Sequence, residues 1–213
     1  MEKKELILIG GGGHCKSCIE VIESVEGFVI KGILDVKEKV GTKLSGYDIL
    51  GTDEEISFFV NDKTMFLITV GQIKDAKARM NIAKKVRDCK GKLATIISPL
   101  AILSKRSSIG EGTILMNGVN VNADVIIGTN AIINTNANIE HDAEIGDFVH
   151  VSTSAVVNGG CRVGAETFIG SGSILVNGIS ICNNVLIGAG TIVNRTIETS
   201  GTYVGNPCHQ IKR

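Results

Sequence analysis

The sequence predicts two domains of different class. Residues 1–96 read as a small α/β domain on a parallel, Rossmann-like sheet, and residues 97–213 as an all-β parallel β-helix with a short tail. Two observations predict this. Aliphatic residues recur at every sixth position from Ile97 to Val193 without a gap, and before Leu93 short apolar runs alternate with helical stretches.

The six-residue beat runs Ile97, Leu103, Ile109, Leu115 and onward to Ile181, Ile187 and Val193, and all 17 positions are Ile, Leu or Val. A helix turning every 3.6 residues would scatter such a repeat around its circumference. An antiparallel sheet needs a period of two and hairpin turns. A period of six fits short strands that turn a corner at each beat, three to a revolution. The residue four places on is small or β-branched (Ala101, Ser107, Thr113, through Thr191 and Ile197), and Gly, Asn or Ser often follows the aliphatic, as at Gly110, Asn122 and Gly128. At about 4.8 Å between stacked strands, residues 97–198 make a prism of under six turns, roughly 27 Å tall. No loop interrupts it, so any chemistry must sit on its surface.

The first domain is read element by element. Glu5–Ile9 is a strand, followed by the glycine turn Gly10–Gly13. Residues 15–26 suit a helix with Cys18, Ile19, Ile22 and Val25 on one face. Phe28–Leu34 is a second strand ending at Asp35, and 41–51 is loop-like. Asp53–Val60 is a short helix, Met65–Val70 a third strand closed by Gly71, and Ile73–Cys89 an amphipathic helix. Leu93–Ile97 is a fourth strand feeding the coil, near Pro99. Strands alternating with helices predict a parallel sheet.

The totals exclude several classes. The 22 basic residues balance the 22 acidic ones, which leaves no footprint for nucleic acid. No apolar run approaches the roughly 20 residues of a membrane span. The charged start is no signal peptide, and six scattered cysteines read as reduced thiols, which together predict a cytoplasmic protein.

Two places carry chemistry. Gly10–Gly13 and His14 lie between a strand and a helix, where free N–H groups and the helix dipole favour an anion such as a phosphate. Asp35 ends the next strand, where it meets a ribose or base, and Gly71 borders the same site from the third strand. A third glycine of the dinucleotide fingerprint is lacking, and the domain is half a dinucleotide fold, which argues against NAD. Cys15 and Cys18 read as small buried thiols. On the coil, His141 is third in its beat and so at a corner, flanked by Glu140 and Asp142. A neighbouring carboxylate fixes the tautomer of an imidazole and raises its basicity, which suits a general base. One revolution above lie Gly159 and Gly160, which leave open space. Either Glu140 or Asp142 can be the partner. His150 ends its beat facing outward, as a ligand contact or as surface. A metal site needs a third histidine from neighbouring turns, so no metal is expected.

These features together resemble the NeuD/PglD-type sugar acetyltransferase family: the Gly-rich turn with His14, the acid at Asp35, the uninterrupted coil, the run from Ile139 to Gly146, His150-Val-Ser and the closing Val204-Gly-Asn-Pro207. The resemblance covers nearly the whole chain. It implies a left-handed coil, a homotrimer with acetyl-CoA bound between adjacent prisms, and a nucleotide sugar held by the N-terminal domain. The positions matching the base and its acidic partner are His141 and Asp142. Asn134, His150, Gly159, Gly188, Ala189 and Pro207 match the coenzyme region, and Gly13, His14, Asp35 and Gly71 the nucleotide-sugar region. Asp142 stands where many relatives have Glu, and Cys208 where Ala is common. The implied reaction is N-acetylation of a nucleotide-activated, UDP-linked 4-amino-dideoxy sugar in bacterial glycan biosynthesis. The alternatives are O-acetylation of sialic or nonulosonic acids, or a non-catalytic coil that assembles with a partner.

Overall fold

The computed structural model describes residues 3–211. Contacts divide the chain into two compact units, Met1–Gly71 with Lys77–Ser98, and Gln72–Ala76 with Pro99–Arg213.

The first unit is a parallel sheet with helices. Its elements are β1 (Lys4–Ile9), α1 (Gly13–Glu23), β2 (Phe28–Leu34), β3 (Lys43–Leu44), β4 (Tyr47–Gly51), α2 (Ile56–Phe59), β5 (Thr64–Ile68), α3 (Lys77–Asp88) and β6 (Lys92–Leu93). The strand order is β3-β4-β2-β1-β5-β6, parallel throughout except where β3 turns back on β4. Leu6 to Ile9 are at most 2 % exposed. Such a continuous apolar run marks a strand covered on both faces. From β1 the chain first builds outward through β2, then returns to lay β5 on the other side of β1. The strand order therefore reverses at β1, and the crevice at the carboxyl ends of β1 and β5 is where open α/β sheets take ligands.

Three expectations need correction here. Residues 41–51 are not simply a loop: β3 and β4 form a hairpin whose two turn residues, Ser45 and Gly46, both have positive φ, the turn that matches strand twist. Buried Ile49 then anchors β4 beside β2. The helix expected from Ile73 starts only at Lys77, because Gln72–Ala76 packs with the coil. The strand expected over 93–97 is broken into Lys92–Leu93 and a separate Ile96–Ile97.

The second unit is a parallel β-helix. From Ile102–Leu103 to Ile192–Val193 each beat contributes a short strand, and every strand up to Ile174–Leu175 pairs with the one 18 residues later, as Ile114 with Ile132, Asn120 with Asn138 and Ile126 with Glu144. The periodic aliphatics point inward: every one from Leu115 to Val193 is at most 3 % exposed. Burying each such side chain stabilises the fold by about 1.5–3 kcal/mol. Leu103 and Ile109 are only half-buried, being on the first rung of the coil.

Two chemical devices turn the corners. The residue three places after the aliphatic has positive φ in 14 consecutive beats, from Gly112 to Gly190, and in eight of them it is not glycine. Asp124, Asn130, Asn136, Asp142 and Asn184 are among the eight, and short polar side chains tolerate this conformation best. One place further on, small hydroxyls tie one rung to the next. Buried Thr113 Oγ1 donates to the Gly128 carbonyl (2.8 Å) and accepts from Ala131 N–H (2.9 Å). Ser173 repeats the pattern with Gly188 and Thr191. After the last rung Gly201–Val204 pairs with Val185–Ile187, and His209–Ile211 returns antiparallel, with Pro207 in the turn.

Candidate active site

The coil's corner geometry places His141 and Asp142. Asp142 occupies the left-handed corner position (φ +59°) directly after the imidazole. Its Oδ2 lies 2.8 Å from His141 Nδ1, and both side chains are mostly exposed, at 66 % and 60 %. A carboxylate only accepts, so Nδ1 carries the proton and Nε2 keeps its lone pair. The Asp142 hydrogen bond, with the negative charges of Asp142 and Glu140, holds the His141 pKa above its ordinary value. Glu140 is not the partner: its Oε1 accepts from Asn138 and its Oε2 from Asn122, at 2.8 and 2.9 Å. Asn120 braces Asn138 in turn, at 2.7 Å. The Asn122–Glu140 and Asn120–Asn138 links escape sequence reading because they appear only when residues 18 apart are stacked.

The roof over the imidazole is Gly159. A Cβ added there would lie 2.7 Å from both Cε1 and Nε2 of His141, so any larger residue would press on the imidazole. Gly160 N–H is spent on the His141 carbonyl (2.9 Å) and so fixes the corner. The Gly159 N–H has no protein acceptor among the described residues.

The other coil positions lie apart from this corner in role. His150 is buried, at 6 % exposure, where the sequence left open a surface position. Its Nδ1 donates to the Gln72 carbonyl (2.8 Å), its Nε2 accepts from Asn134 Nδ2 (3.2 Å), and its ring stands edge-on to Phe168. Gln72 Nε2 also donates to the Glu166 carbonyl (3.2 Å), which pins the segment 72–76 on the coil. Asn134 is thus locked, because its Oδ1 accepts from Thr135 N–H (2.8 Å). Gly188 packs against Val204, and its N–H and carbonyl are both engaged. Ala189 and Pro207 are exposed.

In the first unit, Gly13, His14, Asp35 and Gly71 all line one cleft of about 370 Å³ at the crevice beside β1. A second cleft of about 490 Å³ adjoins it, bounded by Gly10, Asp35, Asp53 and Val70. Gly10 (φ +109°) and Gly11 allow the close turn: a Cβ on the first would lie 2.4 Å from Val70, and on the second 2.7 Å from the Asp35 carboxylate. Burial and the nearby Arg79 cation push His14 down to about 4, so it is neutral near pH 7. Its Nε2 lies 3.4 Å from Cys18 Sγ. Cys15 and Cys18 are fully buried, and burial raises both thiols, which keeps them protonated. Sequence reading missed Lys39, which reaches back four residues to Asp35 (2.6 Å) and onto the Gly11 carbonyl (3.2 Å).

A parallel β-helix that carries an imidazole–carboxylate corner, following a sheet domain with a glycine turn, is the arrangement found in solved hexapeptide-repeat acetyltransferases. Residues 5–86 match the family model of the PglD N-terminal domain. The UDP-N-acetylbacillosamine N-acetyltransferase of Bacillus subtilis (strain 168) is 34 % identical over 115 residues, 53 % of this chain and 51 % of that one. The chain therefore spans about half the length of that curated relative. Among solved structures, perosamine N-acetyltransferase from Caulobacter crescentus, in complex with CoA and GDP-perosamine, is 29 % identical with a TM-score of 0.91, covering 98 % of this chain and 97 % of that one. The acetyltransferase domain of PglB from Neisseria gonorrhoeae FA1090, in complex with acetyl coenzyme A, is 26 % identical with a TM-score of 0.90, covering 98 % and 100 %. The chain is similar along nearly its whole length to these sugar acetyltransferases, and its coil has the left-handed parallel β-helix fold of those structures.

Proposed function

We propose that this chain transfers the acetyl group of acetyl-CoA to the amino group of a nucleotide-linked amino sugar. The observation that carries the reading is the His141 corner: Nδ1 engaged by Asp142 at 2.8 Å, with Nε2 free beneath a glycine roof. The sugar amine attacks the thioester carbonyl carbon, and His141 Nε2 removes the proton from the attacking nitrogen. Asp142 stabilises the imidazolium that results. The tetrahedral oxyanion is placed to receive the Gly159 N–H. Collapse expels the coenzyme thiolate, which takes the proton from His141. Holding both substrates together supplies proximity, and no covalent enzyme intermediate is needed.

Asn134, Gly159, Gly188, Ala189 and Pro207 line the coenzyme path in this reading, and His150 serves it by fixing Asn134. Gly13, His14, Asp35 and Gly71 hold the nucleotide. Relatives named for UDP- and GDP-linked amino sugars support the substrate class; a UDP-linked 4-amino-dideoxy sugar is the carrier expected from sequence. We place the reaction in the cytoplasm, at subunit boundaries of a homotrimer. No helix among the described residues is long and apolar enough to cross a membrane.

The test is CoA release and product mass with acetyl-CoA and a panel of UDP- and GDP-linked 4-amino sugars, free sialic acid and CMP-sialic acid. His141→Ala should lower turnover by about 10²–10⁴, the usual share of a general base, while coenzyme still binds. Unchanged turnover removes His141 from the reaction, and transfer only to a hydroxyl overturns the amine reading.

A further inference from the structure

We infer, on the nucleotide-sugar reading, that Lys39 is the cation that grips the diphosphate in the glycine-turn cleft. The polar side chains lining that cleft are His14, Asp35, Lys39 and Thr69. Thr69 Oγ1 is spent on the Gly10 carbonyl (2.7 Å). His14 is uncharged near pH 7, and Asp35 is an anion. Lys39 is therefore the one positive side chain on the lining, and a diphosphate brings at least two negative charges.

The placement of the ammonium fits this task. Lys39 Nζ lies 2.6 Å from Asp35 Oδ2 and 3.2 Å from the Gly11 carbonyl. An ammonium has three N–H donors, and among the described residues two are used. The third remains for a phosphate oxygen. The two partners are themselves informative, because a carboxylate and a carbonyl at the edge of an anion site would repel the ligand. Lys39 covers both. Its side chain is 46 % exposed, so it reaches solvent and ligand, whereas the Asp35 side chain is 11 % exposed and acts as a fixed anchor. Gly12 and Gly13, with open space where a Cβ would stand, let the ligand approach the first turn of α1, whose N–H groups face the anion from the opposite side.

The test uses the full chain. Calorimetry measures UDP and GDP binding, and ligand-observed NMR measures uridine and guanosine. Lys39→Ala should weaken both diphosphates by roughly 10- to 100-fold, the size of a charge-assisted hydrogen bond, and leave the nucleosides within about twofold. Lys39→Arg should restore most of the affinity, and Lys43→Ala, an exposed lysine paired with Asp48, should change nothing. Equal UDP affinity in wild type and Lys39→Ala overturns the inference. So does an equal loss for uridine and UDP, which would mean that Lys39 acts through Asp35 on the nucleoside. A wild-type chain that binds neither UDP nor GDP would sink the nucleotide-sugar reading itself.

Discussion

His14 and His141 sit in the two units of the same chain and have been driven in opposite directions. His14 is half-buried near a buried arginine, and its imidazole is lowered to about 4. His141 is exposed on a corner beside two carboxylates, and its imidazole is raised. The first is a neutral hydrogen-bonding ring at every pH the protein meets near neutrality. The second is held above its ordinary value by the Asp142 hydrogen bond and the neighbouring carboxylates. The difference teaches that the residue type says little about role; burial and the sign of the nearest charge decide it.

The comparison breaks most visibly at the roof of the second site. Gly159→Ala puts a methyl group against Nε2 of His141, and turnover should fall by about 10² with the fold intact, since a small displacement of reacting groups costs that much. Circular dichroism and a kinetic assay check both halves; full activity would show that the imidazole does not work from this corner. Asp142→Asn sharpens the contrast through pH. His141 must be neutral to accept a proton, so kcat/KM should rise through an acid limb above 6.5 and then level. In the variant the limb should move down toward 6.5, and turnover should drop by roughly tenfold or more as the tautomer is released. A limb that stays put would mean that Asp142 does not set the base.

His14 gives the complementary test. Its folded-state value lies below its unfolded one, so the unfolded chain binds the extra proton between about 6.5 and 4. Stability from this group is present above pH 6.5 and lost as pH falls toward 4. His14→Gln should flatten that part of the melting-temperature profile, while UDP binding in the native chain shows no break between pH 6 and 8. The smallest effect on chemistry, though not on stability, is expected from Ile139→Ala. This side chain is fully buried two residues before His141. Denaturant unfolding should report a loss of about 2–5 kcal/mol, with the pH limb of the remaining native enzyme unmoved.

The coil was legible because each rung repeats the same demand, an inward aliphatic and a tight corner. The left-handed residue of each corner, as at Gly112, Asp124 and Asn130, lies two places after the Gly or Asn that the pattern shows beside the aliphatic, and its mixed residue types leave no repeat to read. That His141 meets a flanking carboxylate was readable from its neighbours. The choice between Glu140 and Asp142 was not, because it rests on Asn122, which is adjacent only after a full revolution. The N-terminal unit was harder. Nothing local in Ile73–Ala76 forbids a helix; the bonds of Gln72 to His150 and Glu166 do. Lys39 carried one faint signal, its spacing of four from Asp35, which a 3₁₀ turn at Lys37–Lys39 converts into a contact.

The vertical pairing of residues 18 apart has a consequence for how such a chain changes over time. Gly159 shelters His141, Asn122 grips Glu140, and Thr113 closes on Ala131, all by being one storey up or down. Losing or gaining a single codon inside the tower would slide every upper floor past the lower ones and scramble all of these at once. Length can drift only by whole storeys, or at the ends, so substitutions are the main currency of divergence within the shaft.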